Sequence, residues 1–372
     1  MNKKTTLILL LVLTMALVLL GCGGKEPAPE TPSAVSVTTP VLQATEAPTE
    51  APTEAPTEAP TEAPTEPPVV YTNPLNGEVL EAPLESRIIA VTINNSRGAL
   101  PHVNAVEADL YFEMFVNDYT TRGLALFSDI RKVPVVGSVR SWRLNFTDLA
   151  QGYDAFGAHS GGSDTVMGDV KASGIDHMNV LQSDDISFRD QDRIKSGYKS
   201  EHTLMVKGPE LYAYLENKGI RVTQAEDKEY GLNFAEDGTP AGEDASLINI
   251  RFTLKGQVKE SRMTYDETLG KYIYTQYGKG IESVTEENRE AFENVFVILT
   301  EVKNQGIYHV ADLEGSGEGY YACGGKIVRI LWSRETSEDV FTFTLEDGTP
   351  LVQGIGNSYI GICPLPSTIS WE

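Results

Sequence analysis

Apolar and polar positions divide this chain into stretches with different periods. Residues 7–20 are an almost unbroken apolar run, shorter than the roughly 20 residues a membrane span needs. Residues 23–72 carry almost no aliphatic bulk, and proline recurs every fourth position from Pro48 to Pro64. Short apolar runs then return. Residues 87–93 predict a buried strand. In 108–116, Leu110, Phe112 and Met114 fall on one side and Tyr111, Glu113 and Phe115 on the other, which predicts a second strand. Residues 123–127 predict a third. Residues 133–139 predict a fourth, whose proline implies an edge or a bend. The period lengthens at 145–152, a predicted helix, and 154–159 is a short strand. Ser163 is placed to cap a helix running to Ala172. Residues 209–218 predict another helix, with Pro209 at its start and Gly219 just past its end. From about residue 245 short strands dominate: 247–252, 271–274, 295–302, 326–332 and 340–345. Turn signals sit at 315–319 and at Asp347-Gly348. The predicted class is α+β: a mixed α/β N-terminal module over 73–224, then a mostly antiparallel β-rich C-terminal module over 245–366. The acidic, glycine-containing stretch 225–244 is the expected boundary.

The N-terminus gives an address. Lys3 and Lys4 precede the apolar run, which ends at Leu19-Leu20-Gly21-Cys22. A basic start, an apolar core and a small residue at the cleavage point read as a secretory signal over 1–22. The ending resembles a bacterial lipobox, which implies lipidation of Cys22 and anchoring to the membrane through it. The expected location is the outer face of the cytoplasmic membrane. Residues 45–68 repeat a Thr-Glu-Ala-Pro unit, closing on Thr65-Glu66-Pro67-Pro68. Proline blocks both helix and sheet ladders, so 23–72 is expected to be an extended stalk of up to about 75 Å across its six repeats.

Charge narrows the partners. The chain holds 53 acidic and 30 basic residues, of which eight and three precede residue 73. The remainder keeps 45 acids against 27 bases, about −18. Nucleic acid is excluded as a partner, because phosphate-backbone binding needs a basic face. Beyond Cys22 only Cys323 and Cys363 occur, which suit either one disulfide or two buried thiols. No metal-ligand spacing and no cofactor motif is present.

Against that acidity, Arg122, Arg140, Arg143 and Arg189 stand out. A guanidinium matches carboxylate or phosphate bidentately. A helix beginning at Ser141 would set Arg140 and Arg143 near its N-terminus, where anions are favoured. Trp142 between them would stack on a sugar or a guanidinium. These arginines suit an anion pocket, with Asn94 and His202 as orienting groups, or a buried ion-pair network with Glu113, Asp109, Asp154 and Asp190. Glu113 and His159 are the acid–base candidates. Burial on its strand is expected to raise the Glu113 pKa, and His159 ends a strand before Gly161-Gly162.

Ala90-Val91-Thr92-Ile93-Asn94-Asn95, Ala108-Asp109-Leu110-Tyr111-Phe112-Glu113, Thr121-Arg122 and Gly137-Ser138-Val139-Arg140-Ser141-Trp142-Arg143 form an ordered set of motifs, and this set resembles the YerB-like family of bacterial lipoproteins. It continues through Asp154, His159-Ser160-Gly161-Gly162-Ser163, Phe188-Arg189-Asp190 and Glu201-His202. Ser138 stands where the family usually has proline, and Thr203 where it has asparagine. The resemblance implies a two-module lipoprotein and brings no activity with it. The expected function is binding or scaffolding of a cell-envelope component: an anionic glycopolymer, peptidoglycan or an envelope protein. The alternative is an envelope hydrolase or transferase using Glu113 and His159.

Overall fold

The computed structural model describes residues 69–372 apart from 118, 119 and 227. Cys22, the signal-like segment and the repeats to residue 68 lie outside the described residues. The N-terminal half contributes β1 (Ile89–Ile93), β2 (Leu110–Asn117), β3 (Thr120–Phe127), α1 (Leu144–Gly152), β4 (Phe156–His159), α2 (Asp164–Ser173), β5 (His177–Asn179), α3 (Gln191–Lys195) and α4 (Gly208–Asn217). The C-terminal half contributes β6 (Leu247–Leu254), β7 (Gln257–Asp266), β8 (Lys271–Gln276), β9 (Asn294–Thr300), β10 (Gly315–Cys323), β11 (Lys326–Arg334), β12 (Ser358–Pro364) and β13 (Thr368–Trp371).

One large sheet runs through both halves, in the order β11-β10-β9-β12-β2-β3-β1-β4-β5. The join is β12, which lies parallel to β9 on one side and to β2 on the other. Hydrogen bonding on both edges explains why every residue of β12 is buried. The sheet therefore crosses the boundary expected at 225–244. A second sheet, β8-β7-β6-β13, is antiparallel throughout.

The alternation read along β2 decides the layers. Tyr111 and Phe115 pack with Ile248, Phe252, Met263 and Tyr274 of the second sheet. Phe112 and Met114, on the other face, pack with Phe146 and Leu149 of α1 and Val166 of α2. The result is sheet on sheet on helices, consistent with the α+β class.

Most predicted elements are present, and two differ. Residues 315–319 are not a turn but the start of β10. Gly317 faces Trp332 across the ladder, and a Cβ there would lie 2.6 Å from the indole Nε1. The glycine thus makes room for a cross-strand aromatic ring. The reversal comes at Gly324-Gly325, both at positive φ. The strand expected over 133–139 shrinks to Val136–Gly137, preceded by a 3₁₀ turn at Ile130–Lys132. Cys323 and Cys363 are separate buried thiols.

Candidate functional site

Glu113 and His159 are not brought together. Gly123 of β3 pairs with both Glu113 and Ile93, which sets Glu113 on the face of the large sheet that meets the second sheet. His159 leans the other way, against Trp142, with ring centroids 5.5 Å apart.

Glu113 is fully buried and accepts from six donor groups. Asn95 Nδ2 (2.8 Å), Thr121 Oγ1 (2.6 Å) and Lys259 Nζ reach Oε1. Ser261 Oγ (2.9 Å), Tyr274 OH (2.6 Å) and Tyr359 OH (2.6 Å) reach Oε2. Burial alone raises a carboxyl pKa, but the Lys259 charge and the Lys259, Thr121 and Tyr274 hydrogen bonds outweigh it and hold Glu113 below the usual range. The expected upward shift is thus reversed, because every lone pair meets a donor. Lys259, Ser261 and Tyr274 come from β7 and β8, so this cluster pins the second sheet to the first.

His159 is equally committed. Its Nδ1 lies 2.9 Å from the Gly161 N and 3.1 Å from the Gly161 carbonyl oxygen, and its Nε2 lies 2.9 Å from His177 Nδ1. Burial, with His177 adding to it, pushes its pKa down to about 4. This imidazole is neutral and fully hydrogen-bonded.

The arginines do converge. Arg122 of β3 is 6% exposed, and its Nη1 donates to the Ser141 carbonyl (2.8 Å). Arg143 Nη1 donates to the carbonyls of Ser141 (3.4 Å) and Trp142 (2.7 Å), and its Nε donates to Asn117 Oδ1 (3.0 Å). Arg140 contacts the Glu201 carboxylate at 3.3 Å. The network with Glu113, Asp109, Asp154 and Asp190 does not form around these side chains. Asp154 pairs with Arg87 and Arg221, Asp190 pairs with Arg193, and Asp109 accepts from Asn73, Asn76 and the Ser128 N–H. Arg122 has no carboxylate within ion-pair reach among the described residues. Burial first, then Arg143 and Arg140, depress its pKa. The Nε atoms of Arg122 and Arg140 are buried without hydrogen-bond partners among the described residues.

Beside Arg140 lies a pocket of about 420 Å³, lined by Arg140, Ser141, Ser160, Arg189, Lys199 and Glu201, among others, but not by Arg122 or Arg143. Three cations thus face one carboxylate. Arg189 Nη1 donates to the Ser200 carbonyl. Asn94 and His202 do meet, but they do not line the pocket: Asn94 Nδ2 donates to His202 Nδ1 (2.8 Å) and to the Glu201 carbonyl (3.1 Å). They hold the Ser200–His202 turn in place. Burial is the largest influence on His202 and lowers its pKa, in keeping with an imidazole that accepts at Nδ1.

Two local expectations change. Helix α1 begins at Leu144 with Arg143 as its N-cap, so Arg140 and Ser141 precede the helix. Trp142 is fully buried against Phe146 and donates to Thr147 Oγ1 (3.2 Å), out of reach of any ligand. Ser163 caps α2 as expected, accepting from Val166 N–H. The sequence reading missed Lys199, Glu201 and Lys259. Glu201 belonged to a quoted motif, but nothing in its spacing told that it would face Arg140.

Comparison with known proteins supports the fold and the family. A profile described as "Protein of unknown function (DUF3048) N-terminal domain" matches residues 75–221, and its C-terminal counterpart matches residues 248–360. The chain is 27% identical over 301 residues to "Putative lipoprotein YerB" of Bacillus subtilis (strain 168), covering 78% of this chain and 86% of that protein. The crystal structure of the YerB protein from Bacillus subtilis superposes with a TM-score of 0.66 at 24% identity, over 80% of this chain and 99% of that one. That likeness extends to the fold alone. With both domain profiles matched in order across one continuous sheet, the chain belongs to the YerB-like DUF3048 family.

Proposed function

We propose that this protein is a lipid-anchored, extracytoplasmic binding protein whose folded head captures an anionic glycopolymer of the cell envelope. The observation that carries the reading is the pocket lined by Arg140, Arg189 and Lys199, joined through the Ser141 carbonyl to the buried Arg122 guanidinium, which has no carboxylate in ion-pair reach among the described residues. Buried charges are ordinarily paired. A buried cation with no anion beside it among the described residues, in a head of about −18, is read as a place reserved for one. Anchoring is supported by the signal-like start with Cys22 and by the lipoprotein name of the Bacillus relative. The proline-rich repeat over 45–68 suits a head that works at a distance from the membrane. Asn94 and His202 act as positioning residues for the turn that carries Glu201.

The test incubates the full chain in detergent with purified cell-wall sacculi, either intact or stripped of phosphodiester polymers by acid. Retention on intact walls that is lost on stripped ones, and lost with Arg140→Ala plus Arg189→Ala, supports the proposal. Equal retention on stripped walls redirects the reading to peptidoglycan. New soluble fragments in the supernatant overturn it in favour of an envelope hydrolase.

A further inference from the structure

We infer that Glu201 is the built-in counter-anion of this pocket, and that the site therefore selects a multiply charged phosphoryl ligand over a monocarboxylate. The inference rests on the anion-site reading above and adds its chemistry. Among the described residues Glu201 is the one acidic side chain lining the pocket, and it sits 3.3 Å from Arg140. Its side chain is about half exposed, whereas the backbone around it is fixed at three points. The Glu201 carbonyl accepts from Asn94, the Ser200 carbonyl from Arg189 and Thr203, and the His202 carbonyl from Arg193. The turn stays put, and the half-exposed carboxylate, 3.3 Å from Arg140 and 3.6 Å from His202 Nε2, is the part that an incoming anion would displace.

Charge counting sets the selectivity. A monocarboxylate that displaces Glu201 replaces one negative charge by another and gains nothing to offset the loss of its own freedom. A pyrophosphate, or two neighbouring phosphodiesters, brings at least one further negative charge to Arg140, Arg189 and Lys199. It also moderates the field around buried Arg122. Phosphoryl oxygens suit the guanidinium fork as well.

The test titrates the full chain in detergent with pyrophosphate and with acetate at matched ionic strength, using wild type, Glu201→Gln and Arg140→Ala. Wild type is expected to bind pyrophosphate through Arg140 and to ignore acetate. Glu201→Gln is expected to tighten pyrophosphate about two- to fivefold, the scale of one exposed ion pair, and to gain measurable acetate binding. Competition by soluble poly(glycerol phosphate) assigns the phosphoryl group to a polymer, and competition by phosphatidylglycerol vesicles alone overturns that source. Arg140-dependent pyrophosphate binding that Glu201→Gln leaves unchanged overturns the role of Glu201 while the anion site stands. Acetate binding equal to pyrophosphate in wild type overturns the charge selection. No pyrophosphate binding by any form overturns the anion site and this inference together.

Discussion

Two buried charged groups in this molecule have opposite fates. Glu113 is enclosed by six donors, one of them the ammonium of Lys259. Arg122 is enclosed nearly as completely, yet its neighbours are Arg140 and Arg143 and its Nε has no partner. The first arrangement is a finished structural joint between two sheets. Among the described residues the second has no such partner, and on the proposed reading an anion from outside would complete it. Burial by itself therefore separates nothing here. The state of the partners tells a joint from a site.

Substitutions on each side sharpen that contrast. The largest effect is expected at the joint. Glu113→Gln leaves Lys259 buried without its anion and should cost about 3–5 kcal/mol, measured by urea unfolding. A loss below 1 kcal/mol would break the contrast from the structural side. The pH dependence has a defined sign. The folded pKa of Glu113 lies below its unfolded value of 4.5, so its contribution is whole above that pH and is lost as pH falls through the lower folded value.

His159 gives the next effect, in a higher pH window. Its pKa falls from 6.5 to about 4 on folding, so the neutral ring stabilises the fold fully above pH 6.5. That stability drains as pH falls from 6.5 toward 4, by about 3 kcal/mol. Unfolding curves for wild type and His159→Gln should converge across this window, and parallel curves would contradict the assignment.

On the site side, Arg140→Ala should weaken polyanion binding about 10- to 100-fold, the scale of hydrogen bonds to a charged group, with an unchanged melting temperature. The smallest stability effect is expected at Arg122. Because no carboxylate pairs with it among the described residues, Arg122→Met should shift stability by less than about 1 kcal/mol in either direction, despite burial as deep as that of a core residue. A loss like that of Glu113→Gln would make Arg122 another joint.

Much of the fold was legible. β2 showed its two faces in the alternation from Leu110 to Phe115, and α2 and α4 were bounded by Ser163, Pro209 and Gly219. β7 was hidden because its inward positions include Lys259 and Ser261, which read as solvent-facing until Glu113 is known to wait opposite. β12 was hidden by Gly361 and Pro364, although a central parallel strand is expected to read as one apolar run. Of the site, the arginine cluster was legible as an excess of cations in an acidic head. Its counter-ion Glu201 was not, because the contact joins residues 61 positions apart across a turn that the local pattern does not specify.

The most direct measurement is the affinity of the full chain for poly(glycerol phosphate) by titration calorimetry, wild type against Arg140→Ala, at fixed salt. The account predicts a dissociation constant at least about tenfold weaker in the variant, with the same melting temperature. Equal affinities, or no binding by the wild-type chain, would contradict it.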